Sequence, residues 1–131
     1  MATRLLVRPT LGWLLVCALA VPLTASAPGP AQDPGQARVE VVLNAHKYEF
    51  TPARIDVAVG DVVKVTLVAD DVPHSFTIDA YRIAKRAAPG QPVTFEFRAD
   101  QSGSFPFYCE LTIDEGCRQM RGVLAVAARR P

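Results

Sequence analysis

The sequence predicts an all-β domain, an antiparallel sandwich or barrel of seven or eight short strands. Three observations predict it. Apolar residues recur at every second position in several short runs, the period of a half-buried strand. Turn-forming residues separate those runs every ~8–12 residues, the spacing of sandwiches and barrels. Eleven prolines and eight glycines argue against a helical bundle.

The elements follow in chain order. Val39-Glu40-Val41-Val42-Leu43 alternates, and so does Ile55-Asp56-Val57-Ala58-Val59. Gly60-Asp61 then reads as a hairpin turn. Val63, Val65 and Leu67 share one face of the next strand, with Lys64 and Thr66 on the other. Ser75-Phe76-Thr77-Ile78 is a shorter strand. After the Pro89-Gly90 turn, Val93, Phe95 and Phe97 alternate with Thr94 and Glu96. Ser102-Gly103 turns into Phe105-Pro106-Phe107-Tyr108-Cys109, and Gly122-Val123-Leu124-Ala125-Val126 is the last strand. Residues 110–119 lack a period of two and read as a loop with room for one helical turn.

Residues 1–27 read as a secretory signal. Arg4 and Arg8 form its positive start, Leu11 to Leu23 its apolar stretch, and Ala25-Ser26-Ala27 a small-residue cleavage site. The apolar stretch falls short of the ~20 residues that span a bilayer. A Pro/Gly-rich linker over 28–37 follows, and a single folded domain over 38–131. The expected compartment lies across the inner membrane, in a bacterial periplasm, with membrane attachment only if the leader is retained. Without Arg4 and Arg8, 12 basic side chains face 13 acidic ones. A nearly neutral domain offers no footprint for nucleic acid. Half of the chain is hydrophobic, which excludes a disordered protein. Phosphate-binding glycine loops, nucleophile elbows and paired catalytic carboxylates are missing from the sequence, so an enzyme is not expected.

Four residues carry the candidate chemistry: His74, Cys109, Cys117 and Met120. His74 begins a strand; Cys109 ends another, and C-x7-C-x2-M continues into the next loop. A sandwich gathers strand ends and loops at one pole. One imidazole, two thiols and one thioether converging there would suit a soft metal ion, copper before zinc.

These residues sit inside stretches that resemble the cupredoxin family. They are Lys47-Tyr48-Glu49-Phe50-Thr51-Pro52, Val59-Gly60-Asp61-Val62-Val63, Val72-Pro73-His74-Ser75-Phe76-Thr77-Ile78, Gly103-Ser104-Phe105-Pro106-Phe107-Tyr108-Cys109 and Met120-Arg121-Gly122-Val123-Leu124-Ala125-Val126. Within the family the chain is most similar to the copper domains of cytochrome oxidase subunit II and nitrous oxide reductase. The resemblance implies a cupredoxin-like Greek-key β-sandwich, a copper site, and a redox or copper-exchange protein partner for a monomer. It also exposes a departure. The binuclear copper domains carry C-x3-C-x3-H-x2-M on this loop. Here Cys109 matches the first cysteine, Ile113 the second, Cys117 the histidine and Met120 the methionine. Loss of one bridging thiolate implies one copper ion instead of two. Two thiolates favour Cu(I) or Zn(II) over a blue Cu(II) centre.

Each residue has a plainer reading beside the metal one. Cys109 and Cys117 could close a structural disulfide, giving a metal-free interaction module. Met120 could fill the core. His46 is the one spare nitrogen ligand, or a surface residue. Ile113 is read as packed where a thiolate would sit. Glu110, Asp114 and Glu115 make the loop acidic, and Tyr108 could line an electron path. The function read from the sequence is electron transfer or copper handling through one copper ion.

Overall fold

The computed structural model describes residue 29 and residues 35–130. The leader expected over 1–27 and most of the linker lie outside the described residues. Among the described residues nine strands form two sheets. The first sheet joins β1 (Arg38–His46), β2 (Glu49–Thr51), β4 (Val62–Ala69) and β7 (Val93–Arg98) in the order β2-β1-β4-β7. The second joins β3 (Arg54–Ala58), β5 (His74–Ile78), β6 (Ile83–Ala87), β8 (Gly103–Tyr108) and β9 (Arg121–Ala127) in the order β3-β9-β8-β5-β6. The all-β sandwich read from the sequence is the observed architecture, with β2 and β6 added to the runs identified there.

The alternation of side chains sets the layers. Val63, Val65, Leu67 and Ala69 of β4 point into the core, while Val62, Lys64, Thr66 and Val68 are more open. Leu43 and Ala45 of β1 join them, and Val42 faces solvent. The second sheet contributes Ile55, Val57, Phe76, Ile78, Phe107, Leu124 and Val126. Every residue of β5 is buried. A chain of rings binds the core, from Phe50 to Phe107 (5.3 Å), Phe107 to Phe76 (5.0 Å) and Phe76 to Phe95 (5.3 Å). Such pairs add to the burial of their area.

The sheets are mixed, not purely antiparallel. β1 pairs in parallel with β4, from Arg38 opposite Val62 to Ala45 opposite Ala69. β3 pairs in parallel with β9. Gly60-Asp61 is therefore a crossover between sheets and not a hairpin turn: β3 belongs to one sheet and β4 to the other. Asp61 holds that crossover. Its carboxylate accepts hydrogen bonds from the N–H groups of Ala58 (2.9 Å) and Ala37 (3.3 Å) and pairs with Arg129. Burial pushes its carboxyl up, but these bonds and the guanidinium hold it below the ordinary value. Three connections between strands meet at one end: the β1–β2 turn, the β4–β5 loop and the β8–β9 loop. The last carries a five-residue helix, α1 (Glu115–Gln119). Hydrogen bonds from Lys47 and Tyr48 tie the first to the other two. Among the described residues no helix is long and apolar enough to cross a membrane.

Candidate metal centre

His74 opens β5 and is fully buried. Asp71, three residues earlier, places its Oδ1 2.8 Å from His74 Nε2. The same carboxylate accepts the N–H of Lys47 at 2.7 Å and of Val72 at 2.7 Å. Burial raises the Asp71 carboxyl, but these three hydrogen bonds and the imidazole outweigh it and hold it at about 2. Asp71 is thus ionised at neutral pH and can only accept. His74 Nε2 donates to it, so in the tautomer this bond selects the ring's lone pair sits on Nδ1. That Nδ1 is buried and has no hydrogen-bond partner.

Cys109 follows the last residue of β8, so the sheet fixes its position. The Ser75 N–H donates to its sulfur at 3.3 Å, and the Ser75 hydroxyl lies 3.7 Å from the same atom. The Glu110 N–H donates to the Ser75 oxygen at 2.8 Å, which leaves the hydroxyl hydrogen for the sulfur. Cys117 comes from α1, with its Cα 5.2 Å from that of Cys109, and the two sulfurs are joined as a disulfide. One ring nitrogen of His74 and the two sulfurs all lie within 4.8 Å of one another.

The loop reaches this point because α1 is anchored. Asp114 caps it: its Oδ1 accepts the Gly116 N–H at 2.9 Å. Its Oδ2 accepts the Tyr48 hydroxyl at 2.8 Å. That hydrogen bond, more than burial or the charges of Asp114 and Asp71, raises the Tyr48 phenol above its ordinary value. The Tyr48 ring covers Gly116, where any Cβ would run into it. Met120 ends α1, donates its N–H to the Cys117 carbonyl at 3.1 Å and is buried in the core.

The structure brings His74, Cys109 and Cys117 together, and Met120 is buried three residues after Cys117. His46 lies outside that cluster, with Nε2 2.8 Å from Glu49 Oε1. Ile113 is 69% exposed, so it is not packed where a thiolate would sit. The loop turns outward there and inward only at Cys117. Tyr108 bonds outward, its hydroxyl donating to Asp79 at 3.0 Å. Asp71 and Ser75 were missed as site residues. The spacing D-x-x-H could have found Asp71, and adjacency to His74 could have found Ser75. Tyr48 left no such signal, being 66 residues from the carboxylate it holds.

A model of the cupredoxin-like domain family matches residues 15–126. Cytochrome c oxidase subunit 2 of Thermostichus vulcanus is 38% identical over 55 residues, 42% of this chain. The match spans 16% of that relative's length. Among solved structures, a heme-copper terminal oxidase dimer gives a TM-score of 0.65 at 22% identity, covering 82% of this chain and 80% of that one. A mixed disulfide intermediate between a thioredoxin-like protein and subunit II of cytochrome c oxidase gives 0.59 at 18% identity, covering 81% and 88%. Both structures support the two-sheet fold at low identity. With its strand order, its loop pole and a family model over most of its length, the chain belongs to the cupredoxin-like domain family.

Proposed function

We propose that this is an exported cupredoxin domain that binds one copper ion and serves electron transfer or copper handling, without catalysis of its own. The observation that carries the reading is the buried, unpartnered Nδ1 of His74, a histidine with one ring nitrogen within 4.8 Å of two sulfurs. A buried polar atom without a partner is costly and calls for an explanation. A disulfide alone gives none, because it needs no imidazole beside it. The donor set, one imidazole nitrogen and two sulfurs, fits a soft ion. The His74–Asp71 pair has the form of a metal-ligating histidine whose other nitrogen donates to a carboxylate.

His74, Cys109 and Cys117 would hold the ion, with Met120 as a weak fourth donor. Bound there, copper would supply a one-electron couple. The protein contributes orientation and dryness. Asp71 fixes the imidazole, β8 fixes Cys109, and Ser75 supplies hydrogen bonds to its sulfur. The surrounding core excludes water. A disulfide sulfur is a poor ligand, since metals take the thiolate, so the metal-binding form is the dithiol. A redox or copper-exchange partner follows from that requirement. The oxidase subunit II caught in a mixed disulfide with a thioredoxin-like protein supports such a partner. The leader in the sequence and the disulfide support export to the periplasm. The domain is proposed to act as a monomer.

The disulfide also favours a second reading, a metal-free interaction module closed by Cys109–Cys117. Metal analysis and a thiol count on anaerobically reduced protein separate the two. Copper near one equivalent per chain, with both thiols protected from alkylation, supports the copper reading. Reduced protein that takes up no copper supports the module.

A further inference from the structure

The two sulfurs of the disulfide differ in everything except burial. Cys109 receives the Ser75 N–H at 3.3 Å and the Ser75 hydroxyl at 3.7 Å. Among the described residues no hydrogen bond reaches the Cys117 sulfur. Cys109 directly follows a strand whose ladder with β9 runs from Gly103 opposite Val126 to Tyr108 opposite Arg121. Cys117 stands on a helix of five residues, a length that does not persist by itself and is held here by Asp114 and Tyr48.

We propose that the disulfide is opened by attack on the Cys117 sulfur with Cys109 leaving, and that Ser75 is the positioning residue that sets this direction. This rests on the disulfide and its surroundings. It does not depend on the copper reading, which would survive attack on the other sulfur. Both cysteines are 1% exposed, so attack requires the loop to open. Opening moves α1 and Cys117 outward, whereas Cys109 stays with β8 and Ser75.

The reductant is an external dithiol. One of its thiolates attacks the Cys117 sulfur. A new S–S bond forms as the Cys109–Cys117 bond breaks, and the electron pair remains on Cys109. That thiolate forms beside both Ser75 donors, and hydrogen bonds to a charged acceptor are about twice as strong as neutral ones. The second thiol of the reductant, deprotonated, then attacks its own sulfur in the mixed disulfide. Cys117 is released as a thiolate, and the reductant leaves as a disulfide. Two electrons pass to the protein, and two protons complete its thiols.

The test treats the oxidised full chain with a thioredoxin whose resolving cysteine is replaced by serine, so that the mixed disulfide accumulates. Peptide mapping then locates the cross-link. The expected cross-link lies at Cys117, about tenfold over Cys109, which corresponds to about 1.4 kcal/mol. In Ser75→Ala, which removes the hydroxyl and keeps the N–H, the ratio falls by several-fold, and Ser75→Thr, which keeps a hydroxyl, recovers it. A wild-type cross-link at Cys109, at both sulfurs equally, or at neither while dithiothreitol reduces the bond would overturn the proposal.

Discussion

Asp71 decides which nitrogen of His74 is free. Its carboxylate takes the Nε2 hydrogen, and Nδ1 is left buried without a partner. Asp71→Ala is expected to weaken Cu(I) binding by the reduced protein tenfold to a hundredfold, the range for carboxylates behind a ligating histidine. Competition with a Cu(I) chelator measures it, and unchanged affinity would sever Asp71 from the site. The same assay ranks the sulfur donors. Cys109→Ser is expected to abolish tight binding, because it removes a thiolate fixed by a strand end. Met120→Leu is expected to keep the ion, because it removes a weak donor and preserves volume. The gathering of His74, Cys109 and Cys117 was legible, because they are chemically conspicuous residues in motif order. Asp71 and Ser75 were hidden because an aspartate before a turn and a serine in a strand have ordinary local explanations. Ile113 was misplaced because loop length in the sequence does not say which side of the loop faces in.

At the scale of elements, α1 is the part that tertiary contacts must hold. Tyr48 does so from the β1–β2 turn, through Asp114 and the face of Gly116. Tyr48→Phe removes the hydroxyl and keeps the ring. Amide exchange across 114–119 is expected to quicken several-fold, in line with about 1 kcal/mol for one hydrogen bond, while β8 and β9 keep their protection. Exchange that quickens in all three alike would place Tyr48 in the general core instead. Gly122 plays another part: a Cβ there would meet the Phe107 ring and the Ala53 carbonyl oxygen. Gly122→Ala is expected to lower stability by about 1–3 kcal/mol, as overpacking does, read by urea unfolding. The strands with clean alternation were legible for the reason that makes them stable, one face in the core. β2 has only three residues, and β6 carries Lys85 and Arg86, so neither shows an apolar period. Gly60-Asp61 misled because a tight turn looks the same whether the next strand pairs with the last or crosses to the other sheet.

At the scale of the whole molecule, Asp61 clasps Ala37 at the entry to β1, Ala58 at the end of β3 and Arg129 beyond β9. Its folded-state carboxyl lies below the ordinary value. A group depressed in this way stabilises the fold above its unfolded value, and the contribution is lost as pH falls through the folded value. Asp61→Asn is therefore expected to be less stable than the wild type at neutral pH, by about 1–3 kcal/mol for lost bonds to a charged acceptor. The gap should close as the pH drops below the usual carboxylate range. A gap independent of pH, in unfolding curves taken from neutral to acid, would show that the charge is not what Asp61 contributes. The sandwich itself was legible from period and turn spacing, but its parallel pairs were not. They join β1 to β4 and β3 to β9 across long stretches of chain, and no local pattern records such partners.

The proposed centre is one copper ion held by His74, Cys109 and Cys117 in the reduced protein. X-ray absorption at the copper edge, on protein reduced anaerobically and loaded with one equivalent of Cu(I), addresses it directly. The expected spectrum shows two sulfur neighbours and one imidazole nitrogen, with no second copper at short range. A shell of oxygen and nitrogen alone, or a copper–copper vector, would contradict it.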